Sequence, residues 1–124
     1  MSMLSIKGLR SGYGKIEVLH DVILDIAQGQ IVTLIGANGA GKTTLLKTIS
    51  GLLRPGAGSI SFEDKSIVRL PPHKIVGLGI SHVPEGRAIL KRMTVIDNLR
   101  MGAYVRNDSK KIAEDIEAVL ARFP

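Results

Sequence analysis

Gly36-Ala37-Asn38-Gly39-Ala40-Gly41-Lys42-Thr43 fits the pattern G-x-x-x-x-G-K-[ST], a loop whose backbone wraps a chain of phosphates. Gly36 and Gly41 permit positive φ and close backbone approach, so successive amide hydrogens can turn inward on phosphate oxygens. Asn38, Gly39 and Ala40 lie between them in the same cradle. Lys42 adds an ammonium placed to span the two outer phosphates. The Thr43 hydroxyl is a hard oxygen ligand suited to Mg2+, and Thr44 supplies a second hydroxyl beside it. The ligand class implied is a nucleoside triphosphate with its magnesium ion.

So short a pattern also fits a glycine-rich turn carrying a surface lysine, and context separates the two. Upstream, Ile31-Val32-Thr33-Leu34-Ile35 is a nearly continuous apolar, β-branched run, which predicts a buried parallel strand. Downstream, Leu45, Leu46 and Ile49 stand at helical spacing, and Gly51 falls where a left-handed C-terminal cap belongs. Strand, glycine loop and helix therefore follow in the order that aims a helix N-terminus at phosphates.

With 124 residues the chain has the length of one domain. It has no cysteine, which excludes disulfides and thiolate metal sites and suits a reducing cytosol. No stretch approaches the roughly 18 consecutive apolar residues of a membrane span. The N-terminus lacks the long apolar segment of a signal peptide, so a cytoplasmic location is expected. The net charge of +6 raises nucleic acid or an anionic membrane as partners. Residues 1–62 carry six Lys/Arg against three acids and residues 63–124 eleven against eight, so neither half is a basic block. The aromatic residues are Tyr13, Phe62, Tyr104 and Phe123, too few for a base-stacking platform, and no nucleic-acid partner is expected.

Residues 3–10 and 18–26 read as strands flanking the turn Ser11-Gly12-Tyr13-Gly14-Lys15, with a second turn at Gly29-Gln30. Ser59-Ile60-Ser61-Phe62 alternates like a half-buried strand, and Glu63 to Ser66 forms the next turn. Pro71 and Pro72 open a short helix through Leu78. Thr94, with Asp97 three residues on, is a variant capping box ahead of Leu99 and Met101. A last amphipathic helix, capped by Asp108 or Ser109, sets Ile112, Ile116, Val119, Leu120 and Phe123 on one stripe that needs a cover.

Together these features resemble the ATP-binding subunits of ABC transporters, over essentially all of the chain. On that resemblance Tyr13 stands where the family has an aromatic residue that stacks on adenine; otherwise it is a turn tyrosine packed on its own sheet. His82-Val83-Pro84-Glu85-Gly86-Arg87 looks like the family's Q-loop, which links the nucleotide's metal to the membrane partner. Here Glu85 replaces the usual glutamine, and a carboxylate accepts from metal-bound water but cannot donate as an amide does. The P-E-G-R form, followed by residues 93–102, looks most like the branch serving branched-chain amino-acid importers. Related urea and amide importers look similar.

The family's acidic pair, at the end of a later apolar strand, and its serine-glycine-glycine signature are both absent after Thr43. Val22-Ile23-Leu24-Asp25 precedes the loop and lacks the second acid, so Asp25 reads as a strand-end residue. The later switch histidine is missing too, and His20, His73 and His82 read as ordinary surface or partly buried residues. The resemblance therefore implies an incomplete α/β fold. Its parts are a P-loop NTPase core of the ABC type with an antiparallel β portion over residues 1–84, and the Q-loop and start of a helical subdomain over residues 85–124, together the N-terminal part of one nucleotide-binding domain.

It further implies ATP and Mg2+ as ligands, Lys42 and Glu85 as catalytic residues, and Thr43 and Glu85 at the metal. The nucleotide would contact Tyr13, Gly36, Asn38, Gly39, Ala40, Gly41, Lys42, Thr43 and Thr44. Implied partners are a second ABC ATPase subunit in a head-to-tail dimer, permease subunits docking on residues 85–106 and, indirectly, a periplasmic binding protein. The location implied is the cytoplasmic face of the inner membrane. A non-hydrolytic nucleotide-binding module, and an ABC ATPase acting on nucleic acid, remain as alternatives. The strand at Ile31 to Ile35 is expected to lack a neighbour and to expose apolar surface.

Overall fold

The computed structural model describes residues 2–34, 40–83, 89–104 and 106–124. The chain divides into two compact units, residues 1–82 and 83–124. Among the described residues no helix is long and apolar enough to cross a membrane.

The first unit is built on an antiparallel sheet of order β2-β1-β3-β4: β1 (Ser2–Tyr13), β2 (Ile16–Ala27), β3 (Ala57–Phe62) and β4 (Lys65–Ser66). β1 and β2 are longer than residues 3–10 and 18–26. The expected five-residue turn shrinks to Gly14-Lys15, with Tyr13 already paired to Ile16. The cause is a set of bulges. Gly8, at φ +58°, absorbs an extra residue on β1 between the pairs Ile6–Leu24 and Leu9–Val22, and Asp21, at φ +48°, does the same on β2.

The bulge at Gly8 breaks the strict two-residue alternation, so Ile6 and Leu9 are both fully buried although three residues apart. It also draws β3 close. A Cβ on Gly58 (φ +94°) would fall within 2.4 Å of the Gly8 carbonyl oxygen, so glycine is required there.

Helix α1 (Ala40–Ile49) packs on β1 and β2 through Thr44, Leu45 and Thr48, all buried, while Leu46 faces outward. It begins at Ala40, four residues before Thr44, where the apolar spacing predicts the helix to start. Its end is as expected: Gly51 adopts φ +86°, and the Leu52 amide reaches back to the Lys47 carbonyl at 2.9 Å, closing the last turn. Helix α2 (Pro72–Gly77) starts on its prolines and buries Ile75. Ile6, Leu9, Leu19, Leu45, Ile60, Ile67 and Ile75 form the core.

The expected strand at Ile31 to Ile35 is not formed over residues 31–34, and Ile35 lies outside the described residues. Ile31 is 93 % exposed and Leu34 is exposed as well. A parallel strand exists only as one member of a ladder, and no described segment pairs with this one. The apolar exposure expected there is present.

The second unit contains α3 (Val95–Gly102) and α4 (Ser109–Arg122), which contact each other. Thr94 caps α3, its hydroxyl accepting from the Asp97 amide at 3.1 Å. Asp108 holds the N-cap position of α4, but its carboxylate does not cap; it is taken by Arg106, whose Nε and Nη2 donate to it at 3.0 and 2.9 Å. The apolar stripe of α4 is only partly covered: Ile112 and Ile116 are half-buried, and Val119, Leu120 and Phe123 are exposed.

Candidate nucleotide site

Lys42 and Thr43 stand in the first turn of α1, Lys42 half-buried and Thr43 exposed. Gly41 and the backbone of Ala40 open the same helix. A helix start carries amide hydrogens without intrahelical acceptors and the positive end of the helix dipole, so this end of α1 favours anions. Gly36, Asn38, Gly39 and Glu85 lie outside the described residues, so the centre of the glycine loop and the acid of the Q-loop segment receive no structural account.

Tyr13 closes β1 at the mouth of the hairpin and is 41 % exposed. Its hydroxyl oxygen accepts from Thr44 Oγ1 at 3.4 Å, and Lys47 Nζ is 5.8 Å from its ring centroid, within cation–π range. Both partners belong to α1. Thr44, read from sequence as a second hydroxyl contacting the nucleotide, is fully buried, and its hydroxyl donates to Tyr13. The structure thus brings Tyr13, Lys42, Thr43 and Thr44 onto one rigid pair of elements.

Two further residues make that pairing and were missed. Thr48 Oγ1 and Ser11 Oγ are hydrogen-bonded at 3.0 Å, and Thr48 also donates to the Thr44 carbonyl at 2.7 Å. The signal was available as spacing: Ser11 and Tyr13 are two apart on a strand, and Thr44 and Thr48 four apart on a helix, so each pair shares one face.

Around the hairpin, Arg10 joins Glu17 at 3.2 Å and Asp21 at 2.7 Å, and His20 Nδ1 meets Glu17 at 2.9 Å. The hydrogen bond to Asp21, followed by the attraction of both carboxylates, raises the Arg10 pKa and keeps it charged. His73 is exposed and His82 half-buried. Among the described residues no group of His, Asp or Glu could hold a metal ion by itself. Asp25 is exposed on β2, where it accepts from Ser2 Oγ at 3.4 Å.

The sequence profile of the ABC transporter family matches residues 19–124. The chain belongs to the ABC transporter family. It is 45 % identical over 98 % of its length to the high-affinity branched-chain amino acid transport ATP-binding protein BraG of Pseudomonas aeruginosa, of which it covers 52 %. To the probable branched-chain amino acid transport ATP-binding protein LivF of Archaeoglobus fulgidus it is 37 % identical over 98 % of the chain and 51 % of the relative. Among solved structures, the ADP conformation of MJ1267, an ATP-binding cassette of an ABC transporter, superposes with a TM-score of 0.75 at 30 % identity, over 87 % of this chain and 42 % of that one. The fold is therefore that of ABC ATP-binding proteins, as the glycine loop implies, and the chain spans about half the length of the curated relatives it matches.

The second unit of this ABC protein carries the segment expected to meet a membrane partner. Between α3 and α4 runs a groove of about 530 Å³, lined by Ile96, Arg100, Ile112, Ile116, Glu117 and Leu120. Its floor is apolar and its rim charged.

Proposed function

We propose that this chain is the ATP-binding, energy-coupling part of an ABC importer for branched-chain amino acids, working at the cytoplasmic face of the membrane. What supports the nucleotide reading is the tie between Tyr13 and α1, which holds a partly exposed aromatic ring against the helix whose first turn carries Lys42 and Thr43. Tyr13 would stack on adenine, the amides of residues 36–41 would wrap the phosphates, and Lys42 would neutralise the outer phosphates. The resemblance to BraG and LivF supports the importer class and the amino-acid cargo.

The donor set fits magnesium. One exposed hydroxyl at Thr43, with no carboxylate cage around it, suits an ion that keeps several waters and takes its other ligands from phosphate. When bound, it supplies charge neutralisation to the β- and γ-phosphates. Glu85 would accept a hydrogen bond from water at the metal, where a glutamine would also donate. The reaction is attack of water on the γ-phosphorus, and Lys42 would stabilise the charge that develops on its oxygens. Two subunits would close head to tail on two ATP molecules, with residues 85–106 and the α3–α4 groove against the permease and a periplasmic binding protein acting through it.

Titration calorimetry with MgATP tests the nucleotide reading. Binding is expected to be weak and to fall by at least about tenfold in Lys42→Ala, because a charge-assisted contact to phosphate is lost. No difference between the two proteins would sink it. With the family's hydrolytic motif, an acidic pair closing a later apolar strand, not found after Thr43, phosphate release by the chain alone is expected to be negligible; sustained turnover abolished by Lys42→Ala would contradict that. The alternative reading is a nucleotide-binding module without hydrolysis. ATP-dependent leucine uptake into vesicles carrying the permease separates the two.

A further inference from the structure

Three hydroxyl residues are buried between β1 and α1: Ser11, Thr44 and Thr48, each at 3 % exposure or less. They form a continuous ladder with Tyr13. The Tyr13 hydroxyl meets Thr44, the Thr44 carbonyl meets Thr48, and the Thr48 hydroxyl meets Ser11. No buried side-chain polar atom among the described residues lacks a partner.

The ladder works because two spacings agree. Alternate residues on a strand are about 6.6 Å apart. Residues four apart on a helix rise by about 6 Å. Ser11 and Tyr13 can therefore meet Thr48 and Thr44 at once, Ser11 by close approach of the two elements and Tyr13 across the length of its ring. A slip of one helical residue turns Thr48 by about 100° away from the strand and strands a buried hydroxyl. Apolar contacts at Leu45 tolerate small slides; the hydroxyl rungs do not, since hydrogen bonds weaken steeply off-axis.

We propose that Ser11 and Thr48 are positioning residues for the nucleotide base: they set the distance between the ring of Tyr13 and the phosphate-binding turn of α1. This rests on Tyr13 as the base contact. Adenine and triphosphate belong to one ligand, so both ends are engaged together only if the two protein elements hold one separation, within about half an ångström. The residues that fix that separation touch no part of the nucleotide. Their loss therefore weakens a ligand that has a base and spares one that is phosphate alone.

The test compares MgATP with magnesium tripolyphosphate by titration calorimetry on the protein and four variants. Thr48→Val keeps the shape and removes the hydroxyl; it is expected to weaken MgATP about fivefold, the worth of one neutral hydrogen bond, and to leave tripolyphosphate unchanged. Thr48→Ser restores MgATP binding. Ser11→Ala repeats the selective loss at about threefold and serves in place of Thr48→Val should that variant not melt cooperatively. Equal weakening of both ligands, or of neither, overturns the inference. Tyr13→Ala distinguishes its failure from that of the underlying reading. If Tyr13→Ala loses MgATP selectively while Ser11→Ala and Thr48→Val do not, the positioning role is wrong and the base contact stands. If Tyr13→Ala is not selective, the base contact itself fails, and the absence of heat from the unmodified protein with either ligand overturns both.

Discussion

Among the described residues of 1–82 seven apolar side chains are buried to 6 % exposure or less, whereas neither α3 nor α4 buries a single residue. The first unit can lay a sheet face, α1 and α2 around one core. Two short helices cannot enclose a core, and polar ties supplement the partly covered apolar contact between them. Asn98 donates from Nδ2 to the carbonyls of Leu90, Met93 and Thr94 and accepts at Oδ1 from the Leu90 amide; Arg106 bridges Asp108 and Asp115. The groups proposed to bind nucleotide thus sit on the unit that has a buried core. The segment proposed to meet a membrane partner is held by bonds that water can compete for, so its surface can adapt to a partner while the site cannot.

The contrast breaks most directly at one isoleucine in each unit. Ile60, 1 % exposed in β3, should lose about 4 kcal/mol on replacement by alanine, the transfer term plus an unfilled cavity. Ile116→Ala, half-buried between α3 and α4, should lose about 1 kcal/mol, because part of that area is already wet. Urea unfolding followed by circular dichroism reads both. Comparable losses at the two positions would mean that α3 and α4 carry a core of their own.

A smaller effect sharpens the account of the second unit. Asn98→Ala should speed exchange of the Leu90 amide hydrogen by about tenfold, since that donor loses its acceptor. Asn98→Asp should fall between, because a carboxylate still accepts from Leu90 but donates to none of the three carbonyls. Unchanged exchange in both would show that the loop at residues 89–94 is held by something other than this side chain.

Which features could be read from sequence follows the same physics. Thr94 as a cap, Gly51 as a left-handed terminus and the Pro71-Pro72 helix start were legible because each is decided within four or five residues. The glycine loop was legible as a motif for the same reason, and it led to the family. The strand at residues 31–34 was misread because a strand is a property of two segments, and its own sequence names only one. β1 ran past its expected end because Gly8 and Asp21 form bulges, which a strict alternation of apolar residues does not express. Ser11 and Thr48 were missed for a different reason, although their spacing puts each on one face with Tyr13 or Thr44. A hydroxyl reads as surface until the facing element is known, and here the facing element is another hydroxyl.

The smallest effect expected is at the start of α4, and its sign is fixed by the ion pair. The hydrogen bonds from Arg106, chiefly, hold the Asp108 carboxyl below the usual carboxylate range, aided by the charges of Arg106 and Lys111. A depressed folded pKa means that the pair's contribution is complete above the ordinary value of about 3.9 and disappears as pH falls through the lower folded value. Arg106, held charged by the same bonds, does not titrate in this range. Following the Asp108 side-chain carboxyl carbon and the amide exchange of residues 109–113 by NMR should show the carboxyl protonating below the ordinary range, with the first turn of α4 loosening in step. In Arg106→Ala the midpoint should rise toward the ordinary value, with the backbone hydrogen bond and Lys111 still holding it slightly down. An unmoved midpoint in that variant would leave the turn between α3 and α4 without its polar tie, and the contrast between the two units would then rest on apolar contact alone. The pair is solvent-exposed, so added salt should shrink the effect, which separates it from any contribution of the half-buried Ile112 in the same turn.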